Sequence, residues 1–233
     1  MKKLNALFRY FSKFEICLWC GSVVLIVASF LLFDRDNYMT LIASVIGITS
    51  IILGAKGNPI AQVLMIIFSI LYGIISYSFA YYGEMVTYLG MTLPMAVFSL
   101  IAWLRNPFKG NHAEVTVNRI RKKEVVFMLA LTAAVTVAFY FILDAFHTAN
   151  LVPSTLSVAT SFFAVYLSFR RSAYFSLAYG ANDIILIILW ILAAKTDLSY
   201  VPVMVCFALF LINDIYGFVS WLKMRKRQQS AEQ

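Results

Sequence analysis

Polar sequence is what this chain lacks most. Charged residues make up 13% of its 233 positions and apolar ones 62%. That is too little polar surface to coat a soluble globule of this size, whereas a bilayer requires none across its hydrocarbon depth. Cysteine is scarce too: Cys17, Cys20 and Cys206 cannot build a disulfide framework. The CLWC spacing of the first two would suit a redox pair only beside an activating partner, and both stand in apolar sequence, so they read as small packing residues. The two histidines, His112 and His147, are far apart; neither a metal cluster nor a His-Asp catalytic constellation is expected, and no cofactor. The chain has no phosphate-binding loop of the G-x-x-x-x-G-K-S/T type, so nothing in it would couple to ATP hydrolysis.

What the chain has is hydrophobic length. Windows of about 20 residues place apolar spans near 15–33, 39–55, 59–80, 86–104, 125–146, 153–169, 173–195 and 200–222. The first run is longer than a signal-peptide core and Asp34-Arg35-Asp36 follows it, so an uncleaved helix is expected. Lysine and arginine divide unevenly between the connections: 17 of 19 fall on one alternating set of ends and loops, and only Arg35 and Lys195 on the other. Retention of these residues in the cytoplasm orients membrane helices, so eight spans with both termini inside are predicted. The net charge of +8 is spread over those ends and forms no single basic face, so nucleic acid is not an expected partner.

The spans suggest two halves. Residues 1–38 read as a cytoplasmic N-terminus and an extra first helix, 39–104 as a three-helix bundle, 105–152 as a cytoplasmic loop and a linker helix, 153–222 as a second three-helix bundle, and 223–233 as a cytoplasmic tail. Three spans leave the chain on the wrong side, so a parallel repeat needs the fifth helix as an inversion linker. Weak similarity supports the division: Ser44-Val45 recurs as Ser157-Val158, and Ala102-Trp103-Leu104 as Ser220-Trp221-Leu222. Parallel repeats about an axis along the membrane normal place a site between the units near the midplane.

Ionisable groups in the bilayer centre cost about 2.5 to 3.5 kcal/mol on insertion scales and need an interior partner or a watery cavity. Two Asn-Asp-Ile tripeptides occupy such positions, Asn182-Asp183 in the seventh span and Asn213-Asp214 in the eighth. They either cross-link helices or face a substrate. Helical spacing carries Asp183 toward Trp190 and Asp214 toward Trp221. A wall of carboxylate, amide and indole suits a flat ring bearing hydroxyls. Ser69, Tyr72 and Ser76 form a stripe on the third span, Thr92 precedes Pro94 on the fourth, and Ser161 lies on the sixth; these complete the candidate substrate-binding set. Pro94 is expected to kink its helix. Trp103 and Trp221 are expected to anchor at the membrane boundary.

The run 55–103, with its YG, ISY, YYGEM and LPM elements, and the later SVATSFFAVYLSFRR, NDIILIILWILA and LINDIYGFVSW segments resemble the PnuC family of bacterial vitamin transporters over most of residues 40–222. The resemblance implies a SWEET-like fold, not an enzyme, in a bacterial inner membrane. It implies energy-independent uptake of nicotinamide riboside, trapped by phosphorylation through a cytoplasmic kinase. Relatives that carry thiamine or riboflavin leave other vitamins and nucleosides, including deoxynucleosides and nicotinamide mononucleotide, as alternatives. A membrane-embedded enzyme is the competing class. A homo-oligomer is compatible with the sequence, which specifies no oligomeric state.

Overall fold

The structure, a computed structural model, describes residues 10–148 and 150–231; Lys2, Lys3 and Arg9 of the basic N-terminus lie outside the described residues. Eight helices are long and apolar enough to cross a membrane. They are α1 (Lys13–Phe33), α2 (Tyr38–Ala55), α3 (Ile60–Ser78), α4 (Tyr82–Leu104), α5 (Lys122–Ala145), α6 (Leu151–Phe169), α7 (Phe175–Ala194) and α8 (Val201–Ser230). The fold is an all-α, multi-pass membrane protein.

Helix packing closes a ring. α2 packs on α3, α3 on α4, α4 on α6, α6 on α7, α7 on α8, and α8 returns to α2. α1 lies outside the ring against α2 and α8, while α5 leans on α6. Lipid tails are as apolar as leucine, so close association of membrane helices depends on small residues that let backbones approach. α2 buries Ala43, Gly47, Ser50 and Gly54, and α6 buries Ser157, Ser161, Ala164 and Ser168. The two stripes match position by position at one constant shift along the chain, with Ala43 rather than Ser44 opposite Ser157. Each stripe runs at intervals of three and four and so holds a single helix face.

Two elements exceed their expected bounds by about a helical turn or more. α4 begins at Tyr82, several residues before the expected start near 86, because the turn from α3 is completed by Ala80 in the left-handed region (φ 56°). α8 runs on to Ser230, well past 222. Its extension is held by the 105–121 connector, which is folded and not merely a linker. Strands β1 (Pro107–Phe108) and β2 (Asn111–Val115) pair antiparallel around Lys109-Gly110, both at positive φ, the backbone that a two-residue hairpin turn requires. The Gln228 amide donates to Val115 O at 3.0 Å and accepts from Val117 N at 2.8 Å, and Arg227 pairs with Glu114. Val115 N donates to Gly57 O at 2.9 Å, so the ribbon caps the basic end of the ring.

Candidate functional site

Every helix of the ring contributes to one central cavity. The small stripes supply Gly47, Ser50 and Gly54 from α2 and Ser161 from α6. Its polar wall is Asn182, Asp183 and Asp214, each nearly or fully buried. Asn182 Oδ1 accepts from Thr160 Oγ1 at 2.8 Å and Ser161 Oγ at 2.9 Å. Those bonds orient the amide and leave its N–H group to donate into the cavity. Asp183 of α7 and Asp214 of α8 bring two carboxyls to the same cavity, and Asp183 Oδ2 is buried without a hydrogen-bond partner. Phe68, Tyr88, Phe207 and Phe210 also line it, so the chamber combines two acids with aromatic faces. No lysine, arginine or histidine lines it among the described residues.

The open volume is about 40 Å³, enough for a few waters and far below the several hundred Å³ of a site for an organic ligand. Phe210 fills the space: a β-carbon built on Gly47 would stand 2.2 Å from Phe210 Cζ. Aromatic layers close both ends. On the basic side, Trp103, Phe175 and Trp221 meet with ring centroids 4.7 to 5.9 Å apart. Trp103 Nε1 donates to Ser168 O at 2.9 Å and Trp221 Nε1 to Gly54 O at 2.8 Å, so α4 is bonded to α6 and α8 to α2. Both indoles are fully buried; they bridge the ring and do not anchor at the lipid boundary. At the other end Trp190 Nε1 donates to Tyr72 Oη at 2.8 Å, and Tyr81 and Tyr200 stack around the indole. Burial, with Tyr200 and Glu84 nearby, raises the Tyr81 phenol above its ordinary pKa.

The nicotinamide mononucleotide transporter family matches this sequence over residues 37–223. The chain belongs to that family. A curated relative from Neisseria mucosa, "Nicotinamide riboside transporter PnuC", is 26% identical over 227 residues, covering 95% of this chain and 85% of its own length. A second of the same name from Haemophilus influenzae is 24% identical over 193 residues, covering 82% of each chain. The fold is also similar to "Crystal structure of the Vitamin B3 transporter PnuC", with a TM-score of 0.83 at 23% identity, covering 95% of this chain and 96% of that one. That family is one of transporters.

Of the candidates read from sequence, the family's fold brings Asn182, Asp183, Asp214, Thr92 and Ser161 onto the cavity. Tyr72 and Trp190 lie in the aromatic layer above it. Ser69 Oγ bonds back to Met65 O, and Ser76 is buried without a partner for its hydroxyl; neither lines the chamber. Asn213 faces away, donating to Ser22 Oγ of α1 at 3.0 Å and Leu209 O at 2.8 Å, because adjacent helical residues point about 100° apart and Asp214 takes the inward direction. Pro94 acts as expected in kind but not in form. Lacking an N–H, it cannot bond Gly90 O, and the helix widens into a π-turn over Tyr88–Thr92 that turns Tyr88 and Thr92 inward. Gln62 and Tyr179 also line the cavity, and Glu84 escaped the sequence reading altogether. It is fully buried on α4, 3.5 Å from Ser157 Oγ of α6, with Oε1 unpaired. Its place in YYGEM, next to a turn, made it read as a solvent-facing loop residue.

Proposed function

We propose that the chain is a passive carrier of nicotinamide riboside in a bacterial inner membrane, with both termini and the basic loops cytoplasmic. Residues 39–104 and 153–222 are its two moving units, 105–152 the connector, 1–38 the accessory N-terminal helix and 223–233 the tail. The observation that carries the substrate is the chamber's charge: two carboxyls, aromatic faces and no cation among the described residues. Nicotinamide riboside is a flat pyridinium cation with ribose hydroxyls. Its ring is attracted by Tyr88, Phe207 and Phe210 through cation–π contact, its hydroxyls donate to Asp183 and Asp214, and its carboxamide pairs with Asn182. The mononucleotide adds a phosphate that would face acids with no base to receive it. The relatives' names favour the same compound.

The closed volume requires Phe210 and one aromatic layer to move for each loading, as alternating exposure of a central site demands. Net uptake then depends on a cytoplasmic kinase that adds a phosphate and so makes the product unfit to return. The test is counterflow in proteoliposomes loaded with unlabelled riboside, with competitors added outside. Labelled riboside should accumulate transiently, and the mononucleotide should compete at least roughly tenfold less well, the equivalent of one lost charge-assisted contact. Equal competition by the mononucleotide would overturn the charge argument. Thiamine, which is also a flat cation, fits the same chamber and is the second reading; stronger competition by thiamine than by riboside would favour it.

A further inference from the structure

A second opening, of about 950 Å³, runs along the outside of the ring between α5, α6 and α7, with the α8 extension across its basic end. Its floor is apolar: Val125 and Met128 on α5, Phe163 on α6, Leu177 and Ala181 on α7. It reaches Thr132 and Thr160, each about ten residues in from the basic-side helix end. At 1.5 Å per residue that is about 15 Å, the depth of one leaflet of a hydrocarbon core of about 30 Å. At the mouth stand Arg119, Arg225 and Lys226. Three other cations on this side are paired, Lys56 with Glu15, Arg170 with Glu124 and Arg227 with Glu114. Among the described residues none of the three at the mouth has a carboxylate partner, and Arg225 lies 5.6 Å over the Tyr174 ring.

We propose that this groove binds an anionic phospholipid of the cytoplasmic leaflet, its headgroup phosphate held by Arg119, Arg225 and Lys226 and an acyl chain laid along α5, α6 and α7. A leaflet-deep apolar floor beneath unpaired cations matches a lipid; a soluble phosphate would use the mouth alone. The deep end also touches the transport site. Thr160 lines the groove and its Oγ1 donates to Asn182 Oδ1 at 2.8 Å, so a chain packed there restrains the side chain that orients the cavity amide. This coupling rests on the function proposed above; the lipid site itself does not.

The experiment measures association of spin-labelled phosphatidylglycerol and phosphatidylcholine with the purified full chain. Each cation near an anionic headgroup is worth roughly fivefold in association, so the intact chain should prefer phosphatidylglycerol by roughly tenfold or more. The combined Arg119→Ala, Arg225→Ala and Lys226→Ala variant should lose that preference, while Lys223→Ala, on the same helix outside the groove, should keep it. Lys226→Gln, an exposed single change, should lose a few-fold and serves if the triple variant does not fold. Equal association of the two lipids, an unchanged preference in both variants, or equal competition by glycerol 3-phosphate would overturn the proposal. So would efficient intermolecular disulfide formation by Leu177→Cys in a background without Cys17, Cys20 and Cys206, which would assign the groove to a second copy of the chain. Riboside counterflow that responds to phosphatidylglycerol in the intact chain and not in the triple variant supports the Thr160 coupling; lipid preference without that response removes the coupling alone.

Discussion

Asn182 is the residue on which the proposed recognition of the riboside turns, because the Thr160 and Ser161 hydroxyls meet its carbonyl and leave its amide N–H group for a ligand. Asn182→Leu removes that donor and takes from Ser161 its acceptor, while Thr160 can fall back on Leu156 O; leucine also inserts into the membrane more readily than asparagine. Riboside affinity should fall at least roughly tenfold, the cost of one buried unsatisfied contact, with the protein still reaching the membrane. Binding to purified protein checks it, and unchanged affinity would reassign Asn182 to helix packing. Glu84 poses a different question, since one of its oxygens is buried with no partner. Glu84→Gln keeps the shape and an acceptor for Ser157 while removing a carboxyl from a site that solvates it poorly. Thermal unfolding in detergent should show equal or higher stability, by up to about 2 kcal/mol; a marked loss would mean that the carboxyl has a partner the packing does not reveal.

The helices are positioned by absences of side chain as much as by contacts. Gly47 lets Phe210 close the chamber, and any β-carbon there meets the ring at 2.2 Å. Phe68 and Phe207 pack edge-on against Phe210 and restrict its retreat, so Gly47→Ala should cost about 1 to 3 kcal/mol through overpacking. Phe210→Leu in the same chain should restore most of it, which a double-mutant cycle of melting curves measures; additive losses would show that the two do not meet. The paired indoles on the basic side are the complementary device. Trp103→Phe and Trp221→Phe each remove one hydrogen bond between neighbouring helices of the ring, worth about 1 kcal/mol. Each should raise labelling of Ser50→Cys by an impermeant thiol reagent from the basic side, in a background without the native cysteines. Unaltered labelling would place the gate elsewhere.

At the scale of the molecule, six helices in a ring with two bonded aromatic layers form a closed carrier and not an open channel. Reporter fusions at the C-terminus and in the 105–123 loop should both read cytoplasmic, and fusions at Thr196 external; an external C-terminus would sink the assigned orientation. In proteoliposomes without a kinase the chain should equilibrate riboside and not concentrate it. Asp183 and Asp214 are the groups that could carry a proton with each cycle. Uphill accumulation driven by an imposed pH gradient would show that they do.

Helix number was legible in the sequence because it is set by a local quantity, apolar length against hydrocarbon thickness. The membrane-embedded Asn182, Asp183 and Asp214 were legible for the same reason, since any polar group at that depth stands out. The direction each side chain faces depends on which neighbours a helix meets. The tertiary structure therefore decided that Asn213 turns to α1, that Trp103 and Trp221 bridge the ring, that Glu84 is buried beside Ser157, and that the proline widens α4 into a π-turn. It also decided that the small-residue stripes of α2 and α6 correspond, a match carried by packing faces and not by residue identity, since glycine, serine and alanine all satisfy the same need for close approach.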